Sequence, residues 1–372
     1  MKISYNNLAL DEIPFQEEIQ EQLRQIIRSG KFVGGSVVES FEEQLGKRVG
    51  RHAVSCDCGT DALVLALKAA GVQRGDEVVV PSFTFVSTVE AVSLAEATPR
   101  FADSRISDFG LDPISALSLI NERTKAAIPA GLYGDATSVA DTVRELSSSS
   151  PALQIIEDAA QSLGGEVEGI PSGALSHWAT SSFYPTKPLG CYGEGGVVFA
   201  STLEGAERLR SLRNHGLSSD GLYCEVGMNS RLDAFQAAVL LTKLQRFDET
   251  IEQRNRIAQR YHALLEPLEN RGVLVRPAVK SGTRSSWAQY TVRILDGQRD
   301  RVKNSLREQG IETAIYYSRP LHLHPAYQEF GGGRGALPIA EQLSAEVLSL
   351  PLYLSLQLEE QEKIAEVLST LL

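Results

Sequence analysis

What this sequence has little of narrows its reading first. Basic residues are outnumbered, 36 Lys and Arg against 47 Asp and Glu, which leaves a net charge of −11. A nucleic-acid backbone demands a basic stripe, so no nucleic-acid partner is expected. A phosphorylated small molecule needs only a few local donors and stays open. No apolar run reaches the roughly 18 residues needed to cross a bilayer. Met1 to Leu10 lacks the basic region and apolar stretch of a signal peptide. No membrane association and a cytoplasmic location are therefore expected. The four cysteines (Cys56, Cys58, Cys191, Cys224) contain no C-x-x-C pair. Cys56 and Cys58 stand two apart with no second pair nearby, which favours buried thiols over a zinc site, so no metal is expected. No internal repeat is found.

What is present reads as an α/β chain. Short apolar runs alternate with helical patterns, as in a domain built on a mainly parallel sheet. Glu77–Val80, Ala126–Ala130, Gln154–Glu157, Ala179–Phe183 and Gly196–Ala200 read as strands. Asp61–Ala70 and Val86–Ala95 have helical spacing. Ser147–Ser150, followed by Pro151, reads as a surface loop. From Leu232 to Leu268 the pattern is that of one long helix. Beyond it lie a strand-like Trp287–Ile294, a helix near Arg301–Gln309 and a closing helix from Glu359. Gly331–Gly333 reads as a flexible loop. These features put a large domain at 1–243 and a small C-terminal domain at 244–372.

Four segments carry chemistry. In Cys58-Gly59-Thr60-Asp61-Ala62-Leu63, a glycine and a capping residue precede a helical pattern, presenting free N–H groups suited to a phosphate. The same pattern is also that of an ordinary capped helix. In Ile155-Ile156-Glu157-Asp158-Ala159-Ala160-Gln161, a carboxylate ends a buried strand, at the edge where open α/β sheets bind ligands. There it could pair with a protonated pyridine nitrogen or merely cap a turn. In Ser181-Ser182-Phe183-Tyr184-Pro185-Thr186-Lys187, a lysine sits beyond a buried strand among prolines and glycines. Desolvation would lower its pKa and free the amine as a nucleophile. A solvated loop lysine is the plainer reading of that residue alone. In Gly193-Glu194-Gly195-Gly196, the glycines would let backbone pass close to a bound ring.

Together these segments resemble the DegT/StrS family of nucleotide-sugar aminotransferases, fold-type I enzymes dependent on pyridoxal phosphate. The resemblance runs from Gly59-Thr60-Asp61-Ala62-Leu63 through Pro81-Ser82-Phe83-Thr84-Phe85, Leu132-Tyr133-Gly134, Glu157 to Ser162 and Phe183 to Gly196. It continues through Arg213-Asn214-His215-Gly216 and Asn229 to Asp233 and closes at Ser349-Leu350-Pro351. It implies a large domain with a mainly parallel mixed sheet between helices, and a smaller C-terminal α/β domain. It implies that Lys187 binds pyridoxal 5'-phosphate covalently and then moves the proton. Asp158 would pair with the pyridine nitrogen, and Gln161 would hydrogen-bond the ring's phenolic oxygen. Phe85 would stack on the ring, while Thr60, Asp61 (through its backbone) and Ser182 hold the phosphate. Asn229 would reach that phosphate from a neighbouring subunit, making a homodimer with a shared site. Arg231 would contact substrate.

Departures from the family pattern bear on the sugar. Pro188 stands where many relatives have asparagine. Lys187 to Gly193, with Ala288 to Arg293, resemble the subgroup acting on UDP-linked 2-acetamido-3-keto-hexuronic acids. The usual His-Tyr-Pro is Tyr316-Tyr317-Ser318, where the small domain would close over substrate, making Tyr317 a candidate contact. The reaction implied moves an amino group from an amino acid, by family habit L-glutamate, to a keto sugar. A dTDP-4-keto-6-deoxysugar is the alternative acceptor. A regulatory protein of the same fold is the competing class, opposed by Lys187, Asp158 and Gln161 standing together. An aminotransferase for free amino acids would keep the same cofactor residues.

Overall fold

The structure is a computed structural model that describes residues 2–278 and 280–372. Its strands in chain order are β1 (His52–Cys56), β2 (Glu77–Pro81), β3 (Thr98–Ala102), β4 (Thr124–Ala127), β5 (Gln154–Asp158), β6 (Glu166–Val167), β7 (Ile170–Pro171), β8 (Trp178–Ser182), β9 (Gly196–Ala200), β10 (Leu274–Val275), β11 (Thr283–Arg284), β12 (Tyr290–Ile294) and β13 (Val347–Leu350). Seven form the main sheet, in the order β1-β9-β8-β5-β4-β2-β3. β9 runs antiparallel to both neighbours and the other six share one direction. β2 and β9 are buried along their whole length. A strand covered on both faces needs a continuous apolar run, which Val78-Val79-Val80 and Val197-Val198-Phe199 supply.

The shared direction puts the carboxyl ends of β1, β2, β4, β5 and β8 at one edge of the sheet. The segments expected to carry chemistry leave the sheet there. The helix Gly59–Ala69 follows β1 and packs on β8 and β9. Its residues from Ala62 to Leu67 are all buried, as a helix apolar on every side requires.

Two helices, Ala234–Leu244 and Phe247–Asn270, replace the single one expected over Leu232–Leu268. The break falls at Gln245 and Arg246. No proline or glycine marks it, and apolar spacing continues across it, so the periodicity is blind to it. Arg246 leaves helical geometry and places its guanidinium over the Phe15 ring. Phe247 and Ile251 pack in the core beneath the main sheet, whereas Ile257, Tyr261, Leu265 and Leu268 belong to a second core. That second core is built on β10-β12-β13 and the helices Arg299–Glu308 and Leu358–Leu371. Ile3 joins it, donating to the Gly310 carbonyl and accepting from the Glu312 N–H, both at 2.9 Å.

Other local expectations are corrected. Ser147–Ser149 end the helix Thr137–Ser149 and are not loop. The strand expected from Trp287 begins at Tyr290, because Ser286 and Gln289 spend their N–H groups on the Gly134 and Tyr133 carbonyls. The strand expected over Ala126–Ala130 ends early too, at Ala127, with Ala130 bridging to Asp158. Gly331 is buried at the end of the short helix Gln328–Gly331. Of the thiols expected to be buried, Cys56 and Cys191 are, Cys58 is half-buried and Cys224 is exposed. Among the described residues no helix is long and apolar enough to cross a membrane.

Candidate active site

A cavity of about 720 Å³ opens at the carboxyl edge of the main sheet. Lys187, Asp158, Thr60, Ser182, Phe85, Gln161 and Tyr317 all border it, although they come from five separate stretches of chain. Tyr184, Glu194, Glu90 and Gln289 complete parts of the wall.

Lys187 follows β8, and its backbone N–H closes a turn onto the Tyr184 carbonyl at 2.8 Å. Burial lowers the ammonium's pKa, and the negative charge of Asp158 opposes that shift. A lysine in such surroundings releases its proton more readily than one in water and is a better nucleophile. The solvated-loop reading of this residue is set aside.

Asp158 is the last residue of β5 and is buried. Its backbone N–H donates to the Pro129 carbonyl and its carbonyl accepts from the Gly131 N–H, which fixes the strand end. Its Oδ1 accepts from the Ala160 N–H at 3.1 Å, and its Oδ2 accepts from the Thr88 hydroxyl at 3.1 Å. The turn-capping reading is thus realised, and the same carboxylate borders the cavity. Burial raises the carboxyl's pKa, while the Ala160 N–H, Lys187 and the Thr88 hydroxyl pull it back.

At the other end of the cavity, the helix Gly59–Ala69 presents its first turn. The capping residue is Cys58, not Thr60: its Sγ accepts from the Asp61 N–H at 3.4 Å. Asp61 does not border the cavity, and that contact engages the backbone group expected to serve a phosphate. Gly59 and Thr60 precede the first intrahelical partner, the N–H of Ala62, which binds the Cys58 carbonyl. The Thr60 and Ser87 hydroxyls lie 2.8 Å apart beside them. Gly59 must be glycine, since a Cβ there would stand 2.7 Å from the Ser182 Cβ. Asp57, Cys58 and Asp61 also bring metal-ligand atom types within 4.8 Å of one another, a grouping the cysteine spacing did not indicate.

Phe85 stands half-exposed on the cavity wall, its ring 6.3 Å from that of Tyr317. The Tyr317 ring meets buried Phe83 edge-on at 5.8 Å. Gln161 is held by the Tyr133 N–H, which donates to its Oε1 at 2.8 Å. Its Nε2 donates to the Tyr317 hydroxyl at 3.0 Å, so the amide donor expected to meet a ring oxygen faces Tyr317.

Two expected residues lie elsewhere. Asn229 is exposed and pairs by backbone with Asn214. Arg231 donates to the Asn214 side chain at 2.7 Å and does not border the cavity. The next residue to cap, Asp233, makes no side-chain capping bond to the helix Ala234–Leu244. Neighbouring Ser230 does reach the site, its hydroxyl accepting from the Asp57 N–H at 3.1 Å. The glycines at 193, 195 and 196 do not approach the cavity either. A Cβ at Gly196 would stand 2.2 Å from the Cys58 carbonyl, so the close passage is between β9 and the helix start. Among the described residues, Lys187 is the one basic side chain on the wall, against Asp57, Glu90, Asp158 and Glu194.

The donor set fits pyridoxal phosphate. A buried carboxylate with both oxygens fixed faces a lysine of lowered pKa across a cavity that ends in a helix N-terminus.

Comparison with known proteins agrees. Residues 14–369 match the DegT/DnrJ/EryC1/StrS aminotransferase family. The chain is 38% identical to a "pleiotropic regulatory protein" of Geobacillus stearothermophilus, over 98% of this chain and 97% of that one. It is 37% identical to the UDP-2-acetamido-2-deoxy-3-oxo-D-glucuronate aminotransferase of Pseudomonas aeruginosa, over 94% and 95%. With the dTDP-3-amino-3,4,6-trideoxy-alpha-D-glucose transaminase of Streptomyces venezuelae it shares 39%, over 90% and 87%. A solved Bacillus subtilis structure with the cofactor PMP bound superposes with a TM-score of 0.92 at 28% identity, covering 100% of this chain and 85% of that one. The chain belongs to the DegT/DnrJ/EryC1/StrS aminotransferase family.

Proposed function

We propose that this member of the DegT/DnrJ/EryC1/StrS aminotransferase family uses pyridoxal phosphate to move an amino group from an amino acid to the keto group of a nucleotide-linked sugar. The observation that carries the proposal is the meeting of Lys187 and Asp158 on one cavity with the N-terminus of the helix Gly59–Ala69. When bound, pyridoxal phosphate would supply an electron sink beside the transferred nitrogen. Lys187 Nζ is the covalent anchor and afterwards carries the proton between carbons. Asp158 holds a proton at the pyridine nitrogen. Thr60, Ser182 and the first N–H groups of the helix hold the phosphate, Phe85 covers one ring face, and Gln161 offers its amide to the phenolic oxygen. Over the two halves the donor's C–N bond becomes C=O with uptake of water, and the sugar's C=O becomes C–N with its release.

The acceptor assigned is a UDP-2-acetamido-3-keto-hexuronic acid, with L-glutamate as donor. Its support is the resemblance of Lys187–Gly193 and Ala288–Arg293 to that subgroup, with Gln289 on the cavity wall. A dTDP-4-keto-6-deoxysugar is the second reading; the 39% identical relative, a transaminase of a dTDP-sugar aminated at carbon 3, supports its dTDP group and not its ketone position. Tyr317 and Arg231 are assigned to sugar recognition. A diphosphate cannot be neutralised by Lys187 alone on so acidic a wall, which supports a homodimer in which Asn229 and Arg231 serve the neighbouring site. A cytoplasmic location fits such a substrate.

Two measurements test the assignment. Purified protein with pyridoxal phosphate should give a near-visible absorbance band that borohydride fixes onto Lys187; absence of the band sinks the cofactor reading. Mass spectrometry of reactions of glutamate with a panel of UDP- and dTDP-keto sugars should then find the amino product among UDP-sugars. Turnover of dTDP-sugars alone overturns the UDP assignment, and turnover of glutamate with an ordinary keto acid but with no sugar of the panel overturns both.

A further inference from the structure

We propose that Thr88 is a positioning residue for Asp158, and that Thr84 completes the relay by donating to Thr88. The inference rests on the cofactor reading above and deepens it.

The Thr88 hydroxyl lies 3.1 Å from Asp158 Oδ2, and a carboxylate can only accept there. That fixes the hydroxyl's proton and leaves its oxygen as an acceptor toward Thr84 Oγ1, 3.3 Å away. All three side chains are buried, and of the three Thr88 alone stands off the cavity wall. Asp158 Oδ1 is already held by the Ala160 N–H. Thr88 therefore decides the carboxylate's remaining rotation and which edge meets the cavity. Thr88 is the second residue of the helix Ser87–Leu94, and Phe85 stands three residues earlier on the entering turn. One turn after β2 thus supports both the ring face and, through Asp158, the ring nitrogen. The donated bond also favours the ionised carboxylate, against the burial that raises its pKa. An Asp158 without this donor is more basic, competes harder for the shared proton and leaves the pyridine nitrogen less charged.

The test compares holoenzymes of wild type, Thr88→Val and Thr88→Ser. Valine keeps the shape and removes the hydroxyl; serine keeps the hydroxyl. A positive ring nitrogen lowers the proton affinity of the nitrogen that joins the cofactor to Lys187. In Thr88→Val the pH midpoint of the visible band should therefore move upward, and single-turnover reaction with glutamate should slow about ten- to hundred-fold. Thr88→Ser should restore both. If Thr88→Val keeps the wild-type midpoint and a rate within about two-fold, the inference is overturned. It is equally overturned if both variants lose thermal stability with an unshifted midpoint, the mark of a merely structural hydroxyl. Thr88→Ala is read in the same way should the valine not fold. A wild-type protein without any visible band would sink the cofactor reading instead, which separates the two failures.

Discussion

His322 Nδ1 stands 2.6 Å from the Ser82 hydroxyl, both wholly buried, and this contact ties the segment carrying Tyr316 and Tyr317 to the end of β2, just before Thr84 and Phe85. Leu321 strengthens the tie by donating its N–H to the Ser82 carbonyl at 2.8 Å. Two walls of the cavity, distant in sequence, are clamped at one point.

Burial lowers the His322 pKa, and the carboxylates of Glu341, 3.4 Å from Nε2, and of Asp103 offset part of that. The unfolded chain thus takes up this proton before the folded one as pH falls. Stability from this group is complete above the ordinary histidine value and is lost as pH drops below it. Between pH 7 and pH 5.5 the thermal midpoint of wild type should drop relative to that of His322→Asn, which keeps an amide near the Ser82 hydroxyl and has no imidazole to charge. Equal slopes would remove His322 as the cause.

Glu157 has the opposite sign. It is fully buried, accepts from the Ser172 hydroxyl, the Gly173 N–H and the Leu175 N–H at 2.8, 2.8 and 3.0 Å, and is nevertheless pushed up by burial to about 7. The folded state therefore holds this proton more tightly, and stability declines as pH rises from about 4.5 to about 7. Glu157→Gln removes the titration. Relative to wild type it should gain about 3 kcal/mol between pH 4.5 and pH 8 in urea unfolding, an order-of-magnitude figure. Parallel curves would contradict it.

Gly59→Ala should damage cofactor binding and packing together. The new Cβ would meet the Ser182 side chain at 2.7 and 3.1 Å, so the helix start or the end of β8 must move. Overpacking of this kind costs about 1–3 kcal/mol. A lowered thermal midpoint of the apoprotein and a cofactor dissociation constant raised at least about five-fold are expected. Adding Ser182→Gly should return the midpoint but not the affinity.

A shared site predicts complementation. Lys187→Ala and Asn229→Asp should each be nearly inactive, the second by placing a carboxylate against the phosphate. Mixed after unfolding and refolding in equal amounts, they should recover roughly a quarter of wild-type activity, because half the dimers are hybrids with one intact site. No recovery would place Asn229 outside the neighbouring site.

Much of this was legible in the chain. β2 and β9 announced themselves through the apolar runs Val78-Val79-Val80 and Val197-Val198-Phe199, and Asp158 ends one expected strand while Lys187 closely follows another, which places both at one edge once those strands are parallel. The Thr60 cap was misread because cysteine at 58 is a poor advertisement for a cap, although its sulfur accepts the bond. The break at Gln245–Arg246 escaped because the periodicity carries through it. Thr88 escaped because its partner is seventy residues away, and a threonine near a helix start has an adequate local explanation of its own.

The sequence by itself determined the alternation of strands and helices, and the residue types that a phosphate, a pyridine nitrogen and an aldehyde carbon call for. Those choices rest on local physics: burial of apolar runs, free N–H groups at a helix start, a carboxylate or amine at a strand end. Only the tertiary structure decided which of them meet. It brought Thr88 onto Asp158, turned Gln161 toward Tyr317, clamped Ser82 to His322 and left Asn229 and Arg231 off the cavity wall. Such contacts depend on strand order and on the course of the chain between distant segments, and neither is written in any local window.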